Sequence, residues 1–235
     1  NSIFEKLAMK YADEIIMISK QQLDFMCNNY KIDYHKKCHV VPLNYIKEWD
    51  IYAELCQKNY SRKSKKLIAV HMGRLYGLRK IDNFLLALSE FNEEFENVIE
   101  IHQFGEIQPR YLKSIKNLKL ENTFIIHEKV DYKTSISNIL SSDILLLFDT
   151  IIDGDNQPYL PSKITEYMLT NKPIIGVCQE NSPSYQILKN NNYVGYSVNE
   201  IKNNLIELFT NYKLVDNRSF VTTNEEIKQI MENIL

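Results

Sequence analysis

Four cysteines occur among 235 residues (Cys27, Cys38, Cys56 and Cys178), with no C-x-x-C pair and no zinc-finger spacing. Nothing in that pattern calls for an oxidising compartment, so a reducing cytoplasm is the expected setting. Cys38, beside His39, reads as a buried strand thiol rather than the start of a metal site. Long hydrophobic runs are also missing. The longest, such as 144–148, reach five or six residues, whereas a membrane-crossing helix needs about 20. No charged-then-apolar leader pattern opens the sequence. The net charge is only −2, which argues against a nucleic-acid partner. The phosphate-binding signatures G-x-G-x-x-G and G-x-x-x-x-G-K-[ST] are both absent, which weighs against a dehydrogenase and a P-loop NTPase. Arginine is scarce, five residues against 23 lysines and 24 asparagines. Under such a bias lysine counts say little, and the placement of each arginine says more.

What is present is the mix of an ordinary globular domain, 44% hydrophobic and 25% charged. The length suits one large domain, or one domain with part of another. Ile3, Phe4, Leu7, Ala8 and Tyr11 recur at helical spacing. A short apolar run at 14–19, a helix over 20–30 and a strand over 38–42 follow. Two strands make a small sheet, so the chain is expected to begin inside something larger. The run KNYSRKSKK at 58–66, five basic residues in nine, reads as a solvated interdomain linker more than as a membrane or phosphate patch.

From residue 67 the alternation is regular. Strands are expected at 67–71, 98–104, 123–127, 143–148, 173–177 and 193–198. Helices are expected at 80–91, 108–117, 132–140, 162–169, 184–190, about 200–209 and 224–235. The uninterrupted apolar stretch 144–148 suits a centre strand covered on both faces. This pattern predicts an α/β fold, a doubly wound parallel sheet with an incomplete N-terminal α/β portion. In such sheets ligands bind outside the carboxyl ends of the strands.

The first strand end reads HMGRLYGLRK, residues 71–80. Gly73 and Gly77 permit close backbone approach, and Arg74 and Arg79 place two of the five arginines in one turn. Arginine's planar fork suits phosphate oxygens. Gly105 ends another strand, where a flat base could lie against backbone. The connection 149–160, DTIIDGDNQPYL, is long for its type. It carries Asp153, Gly154, Asp155, Asn156 and Gln157, all able to bond hydroxyls. Pro161, Ser162 and Lys163 then open a helix on which Lys163 and Glu166 share a face. Together, a cation for phosphate and a carboxylate for a diol fit a sugar nucleotide. Asp153-Gly-Asp155 has metal-site letters but reads as loop. His71, His102 and His127 read as core or rim residues of strands.

The stretch PSKITEYMLTNKPIIGV, 161–177, resembles the donor-binding domain of GT-B glycosyltransferases, in particular the retaining group called family 4. GRLYGLR at 73–79 is similar to that family's G-R-L-x-x-x-K/R loop, and DILLLF at 143–148 to its "aD-v-l-l" strand. YADEIIMISKQQLDFM with HVVPLN looks like the last elements of the family's N-terminal domain. The resemblance covers about residues 10–195. It implies that 1–58 ends an acceptor-side domain, that 59–212 binds the donor and that 213–235 crosses back. By the same resemblance Arg74, Arg79 and Lys163 take the diphosphate and neutralise it as a leaving group, with Lys80 a rival for the role of Arg79. The resemblance also gives Glu166 the ribose hydroxyls and 153–159 the sugar; from their places beside strand and helix ends, Gly73, Gly105 and Ser162 are candidate substrate-binding residues and Tyr132 a candidate flank for the base. One departure stands out: Pro158 occupies the position of the first glutamate in the family's E-x₇-E motif, leaving Asp155 or Asn156 to serve from a rearranged loop. No cofactor or metal is implied. The implied partners are a nucleotide sugar and a glycan or lipid-linked acceptor, used in bacterial polysaccharide synthesis, with peripheral contact at the inner face of a membrane. Two other readings stay open: a sugar-nucleotide epimerase of the same architecture, and a non-catalytic α/β binding or assembly domain.

Overall fold

The computed structural model describes residues 2–30, 37–41, 48–57, 66–96, 98–152, 157–217 and 224–234. The basic run up to residue 65 and the loop residues Asp153, Gly154, Asp155 and Asn156 lie outside them.

The first portion runs α1 (Ser2–Tyr11), β1 (Ile15–Met17), α2 (Lys20–Tyr30) and β2 (Cys38–Val40). The two strands pair in parallel, Ile15 opposite Cys38 and Met17 opposite Val40. Met9, Met17, Leu23, Met26 and Cys38 form their small core.

The second portion is a six-stranded sheet. Its strands are β3 (Leu67–Met72), β4 (Ile99–Phe104), β5 (Phe124–His127), β6 (Ile144–Phe148), β7 (Ile174–Val177) and β8 (Tyr193–Gly195). They lie in the order β5-β4-β3-β6-β7-β8, and every pair is parallel. The chain thus winds outward from β3 in one direction and from β6 in the other, so the two central strands form a topological switch point. All five residues of β6 are buried, as its unbroken apolar run predicts.

Alternation along the strands divides the core in two. On one face Ala69, Ile101, Phe124, Ile144, Leu146 and Ile175 meet α4 (Asp82–Glu94), α5 (Pro109–Asn117) and α9 (Val198–Thr210). Lys202 of α9 sits 3.7 and 3.6 Å from Glu90 and Glu94 of α4, over a cluster of Phe91, Phe95 and Phe209 rings. On the other face Val70, Met72, Leu145, Leu147 and Ile174 meet α6 (Tyr132–Ser141), α7 (Lys163–Met168) and α8 (Pro183–Leu188). A helix that the periodicity did not reveal, α3 (Glu48–Gln57), joins this second face, burying Trp49 and Ala53 beside Ile136 and Ile139. The closing helix α10 (Asn224–Ile234) keeps its described side chains exposed or half-buried.

Two elements have other bounds than expected. The strand expected to reach 198 stops at Gly195, because Ser197 caps α9. Its hydroxyl accepts the Glu200 N–H while the Glu200 carboxylate accepts the Ser197 N–H, a complete capping box. The helix expected over 184–190 starts one residue earlier, at Pro183 behind the Ser182 cap, and ends at Leu188.

Candidate functional site

A cleft of about 630 Å³ opens at the carboxyl ends of β3, β4 and β5, within the size range of small-molecule sites. Its walls bring together residues far apart in sequence. Gly73, Arg74 and Arg79 come from the turn after β3, Gly105 from the end of β4, Tyr132 from the start of α6, and Ser162 and Lys163 from the start of α7. Lys80 and Glu166 do not line it. Met72, Phe104, Glu106, Lys129, Val130, Asp131 and Ser135 complete the lining without having been singled out by pattern.

The turn after β3 is held by hydrogen bonds on all sides. The Gly73 N–H donates to the Phe104 carbonyl at 3.1 Å, the Gly105 N–H to the His127 carbonyl at 3.1 Å and the Leu75 N–H to the Glu106 carbonyl at 2.8 Å. Gly105 sits at φ +110°, and a Cβ there would come within 3.2 Å of the Gly73 carbonyl oxygen. Backbone packing between two strand ends therefore requires this glycine. Below them Gln103, fully buried, donates to the Gly73 oxygen at 2.6 Å. Its own oxygen lies 2.6 Å from His71 Nδ1. Because the amide nitrogen is committed, that oxygen accepts, and His71 carries its proton on Nδ1. Burial, with Arg79 and Lys163 adding to it, lowers the His71 pKa to about 4, so the ring is neutral at pH 7. His71 and Phe148 meet edge to face at 5.0 Å. His71 thus serves the core, as read from the sequence. His102 of β4 and His127 at the end of β5 lie side by side, Nδ1 to Nε2 2.9 Å apart, with Phe104 stacked on His127.

Arg79 is fixed from two directions. Its Nη1 donates to the Arg74 carbonyl at 2.9 Å, and its own carbonyl accepts the Tyr111 hydroxyl at 3.0 Å. That same hydroxyl accepts the Ile81 N–H at the start of α4. Tyr111, buried in α5, is thus a support that no motif indicated. The side chain of Arg74 is more than half exposed and stands 3.7 Å from Glu106.

On the opposite wall, α7 is tied to β3 because the Tyr167 hydroxyl accepts the Met72 N–H at 3.0 Å. Lys163 at its first turn pairs with Glu166 at 2.7 Å and reaches within 5.8 Å of the Tyr132 ring centre. The loop before α7 is pinned at its two ends. Buried Asp149 accepts the Thr150 N–H at 2.7 Å and the Gln157 amide at 3.1 Å, and the Gln157 oxygen accepts the Tyr159 N–H. Gln157, next to the Pro158 position, is fully buried. It shapes the loop from within rather than standing in for a missing glutamate. Desolvation raises the Asp149 pKa to about 6. Among the described residues no group of three or more His, Cys, Asp or Glu side chains gathers to hold a metal. No helix among them is long and apolar enough to cross a membrane.

No family model and no curated protein matches the sequence. Solved structures do. Anabaena HepE, determined in complex with UDP and glucose, matches at a TM-score of 0.74 and 14% identity, over 99% of this chain and 66% of that one. Staphylococcus aureus TarM, as a point mutant complexed with fondaparinux, α-GlcNAc-glycerol and UDP, matches at 0.71 and 15%, over 99% of this chain and 46% of that one. WaaG, a glycosyltransferase involved in lipopolysaccharide biosynthesis, matches at 0.67 and 12%, over 94% and 61%.

The fold is the Rossmann-like fold of GT-B glycosyltransferases. The chain spans about half the length of TarM and about two thirds of HepE. At these identities the likeness concerns architecture.

Proposed function

We propose that this chain is the donor-binding part of a glycosyltransferase and that its cleft takes a nucleotide-diphosphate sugar. The observation that carries the reading is the convergence of Arg74, Arg79 and Lys163, from two separate strand-to-helix turns, on one cleft at the switch point. Residues 59–212 would form the donor domain, 1–58 the end of an acceptor-side portion and 213–235 a return crossing. The three cations would neutralise the diphosphate as the glycosidic bond breaks, the electrostatic work a divalent metal does elsewhere. Glu166, released from Lys163, would accept the ribose hydroxyls. Gly105 and Tyr132 would border the base, and the loop containing Asp153, Asp155 and Asn156 would face the sugar. Lys80, away from the lining, would add only long-range charge. Retention at the anomeric carbon, family 4 membership, a glycan or lipid-linked acceptor, and work at the inner face of a membrane belong to the same proposal and rest on the motif resemblance.

The test is thermal unfolding with UDP, GDP and ADP, each with and without Mg²⁺. A ligand at 100 times its Kd adds about 2.7 kcal/mol, or about 5–10 °C for a chain of this size. A shift with one nucleotide, independent of Mg²⁺, supports the reading and identifies the base. No shift with any of the three favours a non-catalytic assembly domain. Arg74→Ala should weaken binding of the stabilising diphosphate by about 1.5–3 kcal/mol, measured by calorimetric titration. Unchanged affinity would remove Arg74 from the site.

A further inference from the structure

Arg74 and Arg79 place like charges in one short turn, where two unsupported guanidiniums would drift apart into solvent. Both instead approach the same ring. The Arg74 Cζ lies 4.8 Å and the Arg79 Cζ 5.6 Å from the centre of Tyr76. Inside about 6 Å the negative face of an aromatic ring attracts a cation. The backbone holds the ring in place. The Arg79 N–H donates to the Tyr76 carbonyl at 3.2 Å, and Gly77 at φ +60° reverses the chain between them. Core packing does not account for a tyrosine here, because Tyr76 is 52% exposed. Its hydroxyl has no hydrogen-bond partner among the described residues. The use the structure makes of this side chain is its face.

We propose that Tyr76 is a positioning residue that gathers the two guanidiniums at the cleft before a diphosphate arrives. The proposal rests on the donor-binding reading and goes one step deeper into it. Arginine side chains are rich in rotamers, and ordering two of them on binding costs affinity. A ring that already confines both removes part of that cost from the binding step. It also offsets the repulsion that would otherwise spread the pair. The effect is confined to the diphosphate, because Tyr76 stands outside the cleft lining and touches it only through the two arginines, which do line it.

Calorimetric titrations of the wild-type chain, Tyr76→Leu and Tyr76→Phe test this with three probes. These are the diphosphate among UDP, GDP and ADP that stabilises the wild type, its parent nucleoside, and inorganic pyrophosphate. Tyr76→Leu should weaken the nucleoside diphosphate and pyrophosphate about fivefold. It should leave the nucleoside and the melting temperature unchanged, and Tyr76→Phe should restore wild-type affinity. Three results would overturn the proposal: diphosphate affinity unchanged in Tyr76→Leu, no restoration by phenylalanine, or equal weakening of the nucleoside. A wild-type chain that binds neither a diphosphate nor pyrophosphate would overturn the donor reading itself, a failure visible before any Tyr76 variant is made.

Discussion

Two buried polar anchors stand on either side of the switch point, and they are built differently. On the β3–β4 side, Gln103 joins His71 to the Gly73 carbonyl, beneath a turn whose glycine backbones nearly touch. On the β6 side, Asp149 and Gln157 pin the ends of a long loop. There the Ser182 and Ser184 hydroxyls face the carboxylate, but neither closes a well-formed bond to Oδ2. The first anchor leaves its turn little freedom, because the Gly73 carbonyl is held from the side and from below. The second fixes the two described ends of its loop, at Asp149 and at Gln157. Burial acts on both and pushes their titrations in opposite directions, His71 down to about 4 and Asp149 up to about 6.

The contrast can be broken most forcefully at Gln103. Gln103→Leu strips the partner from a buried ring N–H and from the Gly73 carbonyl together, so it should cost about 3 kcal/mol. Gln157→Leu should cost about 1–2 kcal/mol, because the Thr150 N–H still serves Asp149. Both are read as shifts in melting temperature, and equal losses would mean that the two anchors do not differ as described.

The opposed titrations give a second test, of intermediate size. Folded His71 binds fewer protons than the unfolded chain between about pH 4 and its ordinary 6.5, so its contribution is present above that window and is lost as pH falls through it. Folded Asp149 binds more protons between its ordinary 3.8 and about 6, so its contribution is present at low pH and is lost as pH rises. The two slopes oppose each other across nearly the same range. Asp149→Asn should leave stability climbing with pH from 4 to 6.5 by up to about 1.4 kcal/mol per unit, and His71→Gln should leave it falling. Denaturant melts across pH 4–7 measure both slopes, and a wild-type profile in either variant would refute its assignment.

The smallest expected effect sharpens the picture of the first turn. Gly77 has φ +60° and open space where a Cβ would go. Gly77→Ala should therefore cost only about 1 kcal/mol of stability, the conformational penalty alone. A much larger loss in melting temperature would mean that the turn is packed more tightly than its surroundings show.

The difference between the anchors also explains what could be read from the sequence. The unbroken apolar run of β6 and the spacing of strands after residue 67 indicated a doubly wound parallel sheet, because burial on both faces leaves no other pattern. Arg74, Arg79, Lys163 and Tyr132 were legible as strand-end residues, and the structure brings them to one cleft. The supports were not legible. Tyr111, Tyr167 and Gln157 act through single hydroxyls or amides whose partners lie far away along the chain. Gln103 did carry a signal. In β4 the inward positions are Ile99, Ile101 and then Gln103, and a polar residue at the third inward place of an alternating strand needs a buried partner. Helix α3 was missed; among its described side chains Trp49 and Ala53 are the buried ones.

That helix has a practical consequence. The chain holds one tryptophan, and it is Trp49, 2% exposed in the seam between α3 and α6. Fluorescence excited selectively at tryptophan, past the absorption of the 15 tyrosines, therefore reports on one place, the docking of 48–57 onto the larger sheet. A red-shifted emission that precedes the loss of far-ultraviolet ellipticity would show this helix peeling away while the six-stranded sheet stays whole. Coincident transitions would show that the two come apart together.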